Sequence, residues 1–333
     1  MNVSILDQHA HNLREARGLL QSQAHSRDSV DRLLCSYCLT SQSAIIKRTG
    51  LEFMYMNEYY HELQKLIHIN AVRPEFENQQ WAHVYQVLLN HKNNTEHPKE
   101  LLNELETIEK SSPSITIIVE LAKMTIYQSM HEYRYIGEYI DRQQQLIDDI
   151  HDPMLRHSFQ LRLREQLFMY YWKRNEGIIA RKYAYKMLTH ELKPLTCIRM
   201  HVNLGLTYLF DTFEQGMFHF NKAICIAKEH QETKALYSIN NKTIPFFAAY
   251  FKRTEGIRSE LLDEQAFVLI SQGKKKEALT LLQKTSINDP YLLYYMGLAT
   301  GEDHYFIRSY DCFIERRGDL FFVRLPVEAL RNT

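Results

Sequence analysis

Apolar residues return at intervals of three and four along almost the whole of this 333-residue chain. Leu33, Leu34, Tyr37 and Cys38 form one such group; Trp81, Val84, Tyr85 and Leu88 form another. On a helix that spacing gathers side chains on one face, whereas a half-buried strand needs strict alternation. Alternating stretches are short and rare here. Punctuation residues point the same way. The 11 Gly and 8 Pro are roughly 3% and 2% of the chain, against average usage of about 7% and 5%. So few turns leave little room to connect strands. The expectation is an all-α chain with helices of roughly 12–20 residues. Breaks fall at His91-Lys92-Asn93-Asn94, Ser111-Ser112-Pro113-Ser114, His151-Asp152-Pro153, Lys193-Pro194 and Asn288-Asp289-Pro290.

The helices repeat. A tetratricopeptide (TPR) unit has a small residue on its first helix and another twelve positions later on its second. A large residue follows four further on. Small residues stand where the two helices approach; the large one fills the space to the next unit. Ala266, Ala278 and Leu282 fit, with Gly273 in the turn and Pro290 expected to end the second helix. Gly297, Ser309 and Phe313 repeat the pattern. Gly205 with Tyr208, then Gly216, Phe220 and Ala223, form an earlier copy whose second helix arrives one residue early. Phe168 with Tyr171, then Ala180 and Ala184, are a weaker one. The clearest repeats therefore occupy 160–318. The predicted fold is a TPR-like, right-handed helical-repeat superhelix over 28–333, preceded by a helical remnant at 1–27. Its concave face would suit an extended peptide or a partner helix.

No pattern suggests catalysis or a bound cofactor. Cys35-Ser36-Tyr37-Cys38 lies inside a helical segment, without the second pair a zinc site needs or the βαβ context of a redox motif. These two cysteines read as buried apolar residues. The histidines include His61-Glu62 followed by His68, which is not the metalloprotease spacing. No glycine-rich phosphate loop or nucleophile elbow occurs. Asp148 and Asp149 are adjacent, so they point apart on a helix. With 40 basic and 40 acidic residues, no net field draws the chain to nucleic acid or an anionic membrane. Five scattered cysteines, no long apolar run and no leader-like pattern in Met1–Asp7 read as a cytoplasmic protein. Lys274-Lys275-Lys276 reads as a loop cluster between repeat helices. Met169-Tyr170-Tyr171-Trp172 with Lys173 and Arg174 is an aromatic-basic cluster suited either to inter-repeat packing or to a groove wall.

A set of short matches in fixed order carries a resemblance. Tyr37-Cys38-Leu39, Leu51-Glu52-Phe53, Val84-Tyr85, Gly205, Gln265-Ala266, Gly297 and the closing Asp319-Leu320-Phe321-Phe322-Val323-Arg324-Leu325-Pro326 resemble the arbitrium receptors (AimR) of Bacillus phages and prophages of the SPβ group. The closing stretch is the most specific. The resemblance implies a helix-turn-helix transcription regulator on a TPR-like superhelix. Such a receptor dimerises and binds a short secreted phage peptide in its concave face, a quorum-sensing device that shifts the phage from lysis toward lysogeny. It further implies peptide-contact roles residue by residue. Arg48 matches a basic position suited to a ligand carboxylate. Asp319 and Phe321 match an acidic and an aromatic contact. Phe246 falls near a wall aromatic, and Glu264 on an acidic position suited to a ligand Arg or Lys.

The same comparison exposes departures. Family asparagines that grip the peptide backbone are replaced by Met169, Lys173 and Leu206; Asn203, one turn before Leu206, is the substitute amide. Residues 1–27 are short for a helix-turn-helix module, and the Leu-rich C-terminal dimer helix has no counterpart before Thr333. Both argue against DNA binding by this chain and against dimerisation by the family route, though a homodimer remains one assembly to consider. Two readings follow: an AimR-like regulator binding a peptide or a regulatory protein in its groove, or a peptide-independent protein-interaction adaptor. The expected ligand residues are Arg48, Lys173, Asn203, Phe246, Glu264, Asp319 and Phe321.

Overall fold

A computed structural model describes residues 6, 9–21, 26–285 and 289–331. Part of the Met1–Asp7 leader stretch, Asn288 of the last break and Thr333 lie outside them. The described residues are helical throughout, with no strand among them. They divide into two compact units: residues 1–130 with 135–166, and residues 131–134 with 167–333.

The first unit contains α1 (Leu13–Gln21), α2 (Arg27–Thr40), α3 (Ala44–Met56), α4 (Tyr60–Ala71), α5 (Phe76–Asn93), α6 (Pro98–Glu106), α7 (Pro113–Ser129) and α8 (Gly137–Asp148). It also takes the first part of α9 (Pro153–Lys173). Sequence neighbours pair: α1 with α2, α3 with α4, α4 with α5. Helix starts follow local chemistry. Ser112 Oγ accepts from the Ile115 amide at 3.3 Å while Pro113 opens α7, so a free amide is satisfied and the missing proline N–H costs nothing. Cys35 and Cys38 are buried in α2, as their helical spacing implied. Cys38 lies where α3 comes closest: a Cβ on Gly50 would stand 2.8 Å from its Cβ. The core also buries an ion pair. Arg162 Nη1 donates to Glu52 Oε2 at 2.9 Å, and the Tyr85 hydroxyl donates to the same oxygen. Low dielectric makes this pairing costly to break.

The second unit holds the remaining turn of α9 and α10 (Gly177–Leu188), α11 (Pro194–Leu206), α12 (Phe213–Glu229), α13 (Thr233–Ser238), α14 (Ile244–Tyr250), α15 (Leu262–Ser271), α16 (Lys275–Leu282), α17 (Pro290–Thr300), α18 (Asp303–Asp311) and α19 (Arg324–Arg331). The pairs α11/α12, α15/α16 and α17/α18 are antiparallel repeat hairpins at the positions read from the small-residue pattern. A Cβ on Gly205 would collide with the Phe220 ring, and one on Gly297 would stand 2.5 Å from Phe306 Cε1. Glycine is thus required where the helices of the α11/α12 and α17/α18 hairpins meet, while Ala266 and Ala278 serve at α15/α16. One detail differs. Pro290 opens α17 at its first turn, capped by Asp289 Oδ1 accepting from the Tyr291 amide at 2.9 Å. The preceding helix already stops at Leu282.

Two π-helical turns interrupt the regular ladder, at Ile239–Thr243 and Cys312–Arg317. The first precedes Pro245, which has no N–H to offer the carbonyl of Asn241. Ser259 Oγ donates to that carbonyl at 2.5 Å, and the Glu260 amide donates to Asn241 Oδ1 at 2.9 Å. These bonds pin the loop that delivers α15.

Candidate functional site

The C-terminal unit concentrates aromatic side chains around α15, α17 and the closing segment 318–323. Phe267 of α15 stacks on Tyr295 of α17, with centroids 4.4 Å apart and planes 17° from parallel. Phe246 of α14 lies 5.8 Å from Phe267, 5.7 Å from Tyr291 and 6.1 Å from Phe322. Tyr291 in turn meets Phe322 at 5.4 Å. Tyr291 and Tyr295 are four residues apart, so they lie one turn apart on one face of α17. The result is a continuous aromatic layer with a buried carboxyl at each end.

Glu264 is one of these carboxyls. It lies in the first turn of α15 and is 5% exposed. The Tyr295 hydroxyl donates to its Oε2 at 3.2 Å. Among the described residues no cation pairs with it. Burial, then the neighbouring Asp263, push its pKa up from 4.5 to about 8; the Tyr295 hydrogen bond and Lys242 oppose that only in part. A carboxyl in this position is protonated at neutral pH.

Asp319 is the other, at 2% exposure. Its Oδ2 accepts from Lys173 Nζ at 2.8 Å, and Lys173 is itself 4% exposed. Its Oδ1 accepts from the amides of Phe321 at 3.2 Å and Phe322 at 3.0 Å. The Leu320 amide donates to the Lys173 carbonyl at 2.7 Å, so backbone and side chain bind the closing segment to the end of α9. The ammonium also lies over three rings, at 4.1 Å from Trp172, 4.3 Å from Phe322 and 5.0 Å from Tyr133. Burial lowers the Lys173 pKa, and Asp319 counters it. Nearby, Arg317 Nη2 pairs with Asp289 Oδ2 at 2.8 Å. His131 is held neutral, its pKa pushed down to about 4 by burial and then by Arg317 and Lys173.

Of the residues expected to bind ligand, Lys173, Phe246, Glu264, Asp319 and Phe321 belong to this one network. Phe321 packs against Trp172 at 5.8 Å and Phe210 at 4.9 Å. Asn203, on α11, is half-buried with its Nδ2 4.0 Å from Met169 Sδ. Arg48 belongs to the N-terminal unit, where Nη1 meets Asn78 Oδ1 at 3.1 Å and Glu77 Oε2 at 3.1 Å. Tyr291, Tyr295 and Phe322 were not among the expected residues. The signal for the two tyrosines is their i, i+4 spacing after Pro290. Trp172 was noted only as part of a cluster; its Nε1 is a buried donor without a partner. The arrangement brings hydrogen-bonding, ionic and aromatic groups together in one buried network.

Among solved structures the fold is similar to that of phAimR with its ligand, at a TM-score of 0.76 and 18% identity, covering 95% of each chain. It is also similar to selenomethionine phAimR, at 0.66 and 19%, covering 96% of this chain and 85% of the other. Both are all-α helical-repeat proteins of the TPR-like kind. No curated protein matches the sequence. The sequence profile for AimR transcriptional regulator-like proteins matches residues 30–332. With nearly the whole chain inside that match, the protein belongs to the AimR transcriptional regulator-like family.

Proposed function

We propose that the chain is an AimR-like receptor that regulates phage lysis and lysogeny by binding a short cationic peptide in its C-terminal unit, with Glu264 as the seat for the peptide's Arg or Lys. The observation that carries this reading is a buried carboxyl with which no cation among the described residues is paired. Removing charge from water is expensive, so an unpaired buried acid stays protonated. An arriving guanidinium reverses that balance: Glu264 loses its proton and the pair forms in low dielectric, where the attraction is strong. Tyr295 holds Oε2 in place at 3.2 Å, leaving Oε1 for the ligand. Phe246 and Phe267 supply the apolar wall against which the methylene stem would lie. Asn203 is the amide assigned to the peptide backbone.

Binding would then release a proton. With Glu264 at about 8, affinity rises about tenfold per pH unit below that value and levels off above it. No catalytic step belongs to this reading.

The test is affinity selection from two synthetic libraries of short peptides, identical except that one carries a single fixed Arg and the other citrulline. The reading predicts retention from the Arg library, lost in Glu264→Gln. Equal retention from both libraries would contradict it. A folded protein retained from the native cell in place of any peptide would favour the adaptor reading.

A further inference from the structure

The C-terminal unit buries two carboxylic acids, and they are treated differently. Among the described residues of this unit, Glu264 and Asp319 are the acidic side chains classed as buried. They flank the same aromatic layer: Tyr295 bonds Glu264, and Tyr291, one turn away, packs on Phe322, whose amide donates to Asp319. Asp289, also in this region, has Arg317 at 2.8 Å. Asp319 has Lys173 at 2.8 Å. Among the described residues no cation is paired with Glu264, and Lys242 offsets its burial only in part.

Building on the proposed peptide receptor, we propose that Lys173 is an internal counter-ion that limits the ligand of this unit to one cationic side chain. The geometry assigns each charge. Lys173 reaches Asp319 across 146 positions of sequence, and its ammonium is enclosed by Trp172, Phe322 and Tyr133. It is therefore built into the unit and is not a surface group swinging into reach. Asp319 uses its second oxygen on two backbone amides, so its charge is already matched by Lys173 and three of its about four acceptor sites are taken. A ligand with two cations would bring its second charge next to an acid already neutralised, beside Lys173 and Arg317. It would bury that charge unpaired, which costs more than the rest of the contact returns. A ligand with one cation meets the one open acid. Lys173 is a specificity-determining residue and touches the ligand only through that charge balance.

The experiment adds a third library, with two fixed Arg residues, to the one-Arg and citrulline libraries. Wild type is expected to retain the one-Arg library over the two-Arg library. Lys173→Met leaves Asp319 uncompensated, and the two-Arg library should gain at least about tenfold relative to the one-Arg library, the size of one charge-assisted hydrogen bond. Because that variant buries an unpaired acid at a cost to the fold, Lys173→Met with Asp319→Asn is the companion: both charges go, and one-Arg selectivity should be retained. A structural role for Lys173 would alter how much peptide is retained without altering the preferred number of cations. Unchanged preference in Lys173→Met, or a two-Arg preference in the double variant, overturns the inference while leaving the receptor reading intact. Wild type that retains none of the libraries overturns the receptor reading, and the charge rule with it.

Discussion

Replacing Glu264 with Gln should make the C-terminal unit more stable, and increasingly so as the pH rises. The carboxyl has a pKa of about 8 in the fold and 4.5 as its ordinary value. Between these values the native chain holds a proton that the unfolded chain has released. Stability therefore falls as pH rises through that window. At about 1.4 kcal/mol per unit the whole window approaches about 5 kcal/mol, of which about 3.5 falls between pH 5 and pH 8. Gln can still accept from Tyr295 and does not titrate. The gap between variant and wild type should widen by about 3.5 kcal/mol in favour of Gln from pH 5 to pH 8. Urea unfolding at four pH values gives this directly. The chain has two tryptophans, Trp81 and Trp172, one in each unit. A Trp81→Phe background confines the fluorescence signal to the unit containing Glu264. A gap that stays constant with pH would show that Glu264 is ionised in the fold and would remove the argument for an open cation seat.

Three further outcomes test other parts of the account. Arg162→Met leaves Glu52 buried without its cation and should cost about 3–5 kcal/mol, much of it recovered by adding Glu52→Gln; urea unfolding followed through Trp81 reads it, and equal losses in single and double variants would contradict it. Gly205→Ala should cost about 1–3 kcal/mol by forcing Phe220 aside, with partial recovery in Gly205→Ala with Phe220→Leu; an unchanged melting temperature would deny the close approach of α11 and α12. His219, buried with Nδ1 3.2 Å from His201 Nδ1 and Nε2 3.1 Å from the Tyr185 hydroxyl, has its pKa pushed down to about 4 by burial, His201 and Arg181. The unfolded chain takes up that proton first, so the contribution is complete above the ordinary histidine range and is lost as pH falls toward 4. His219→Gln should flatten this acid limb in a pH series of melting temperatures, and an identical limb would refute it.

The repeat hairpins could be read from the sequence because their requirement is local. Gly205, Gly216 and Phe220, or Gly297, Ser309 and Phe313, stand at nearly constant spacings, and a close helix approach admits only small residues. Helix starts were legible for the same reason, through Ser112-Pro113 and Asp289-Pro290. Pro290 was misplaced because a proline is compatible both with the end of one helix and with the first turn of the next; the capping aspartate before it decides. The division into two units falls inside α9, between Gln166 and Leu167, where no change of composition marks it. The site was legible only through resemblance. It brought Glu264, Asp319 and Phe321 to attention but gave no means of pairing Asp319 with Lys173, 146 positions away, or Glu264 with Tyr295, 31 positions away. Those pairings depend on which helices meet. They decide which acid has a cation and which does not.

The most direct measurement is native mass spectrometry of the protein recovered from cells that express it naturally, at pH 8 and again after a shift to pH 6. The account predicts a bound peptide of several hundred daltons carrying one Arg or Lys, retained at pH 8 and released at pH 6 as Glu264 regains its proton. A bound folded protein, or a peptide without a cation whose occupancy ignores pH, would contradict it.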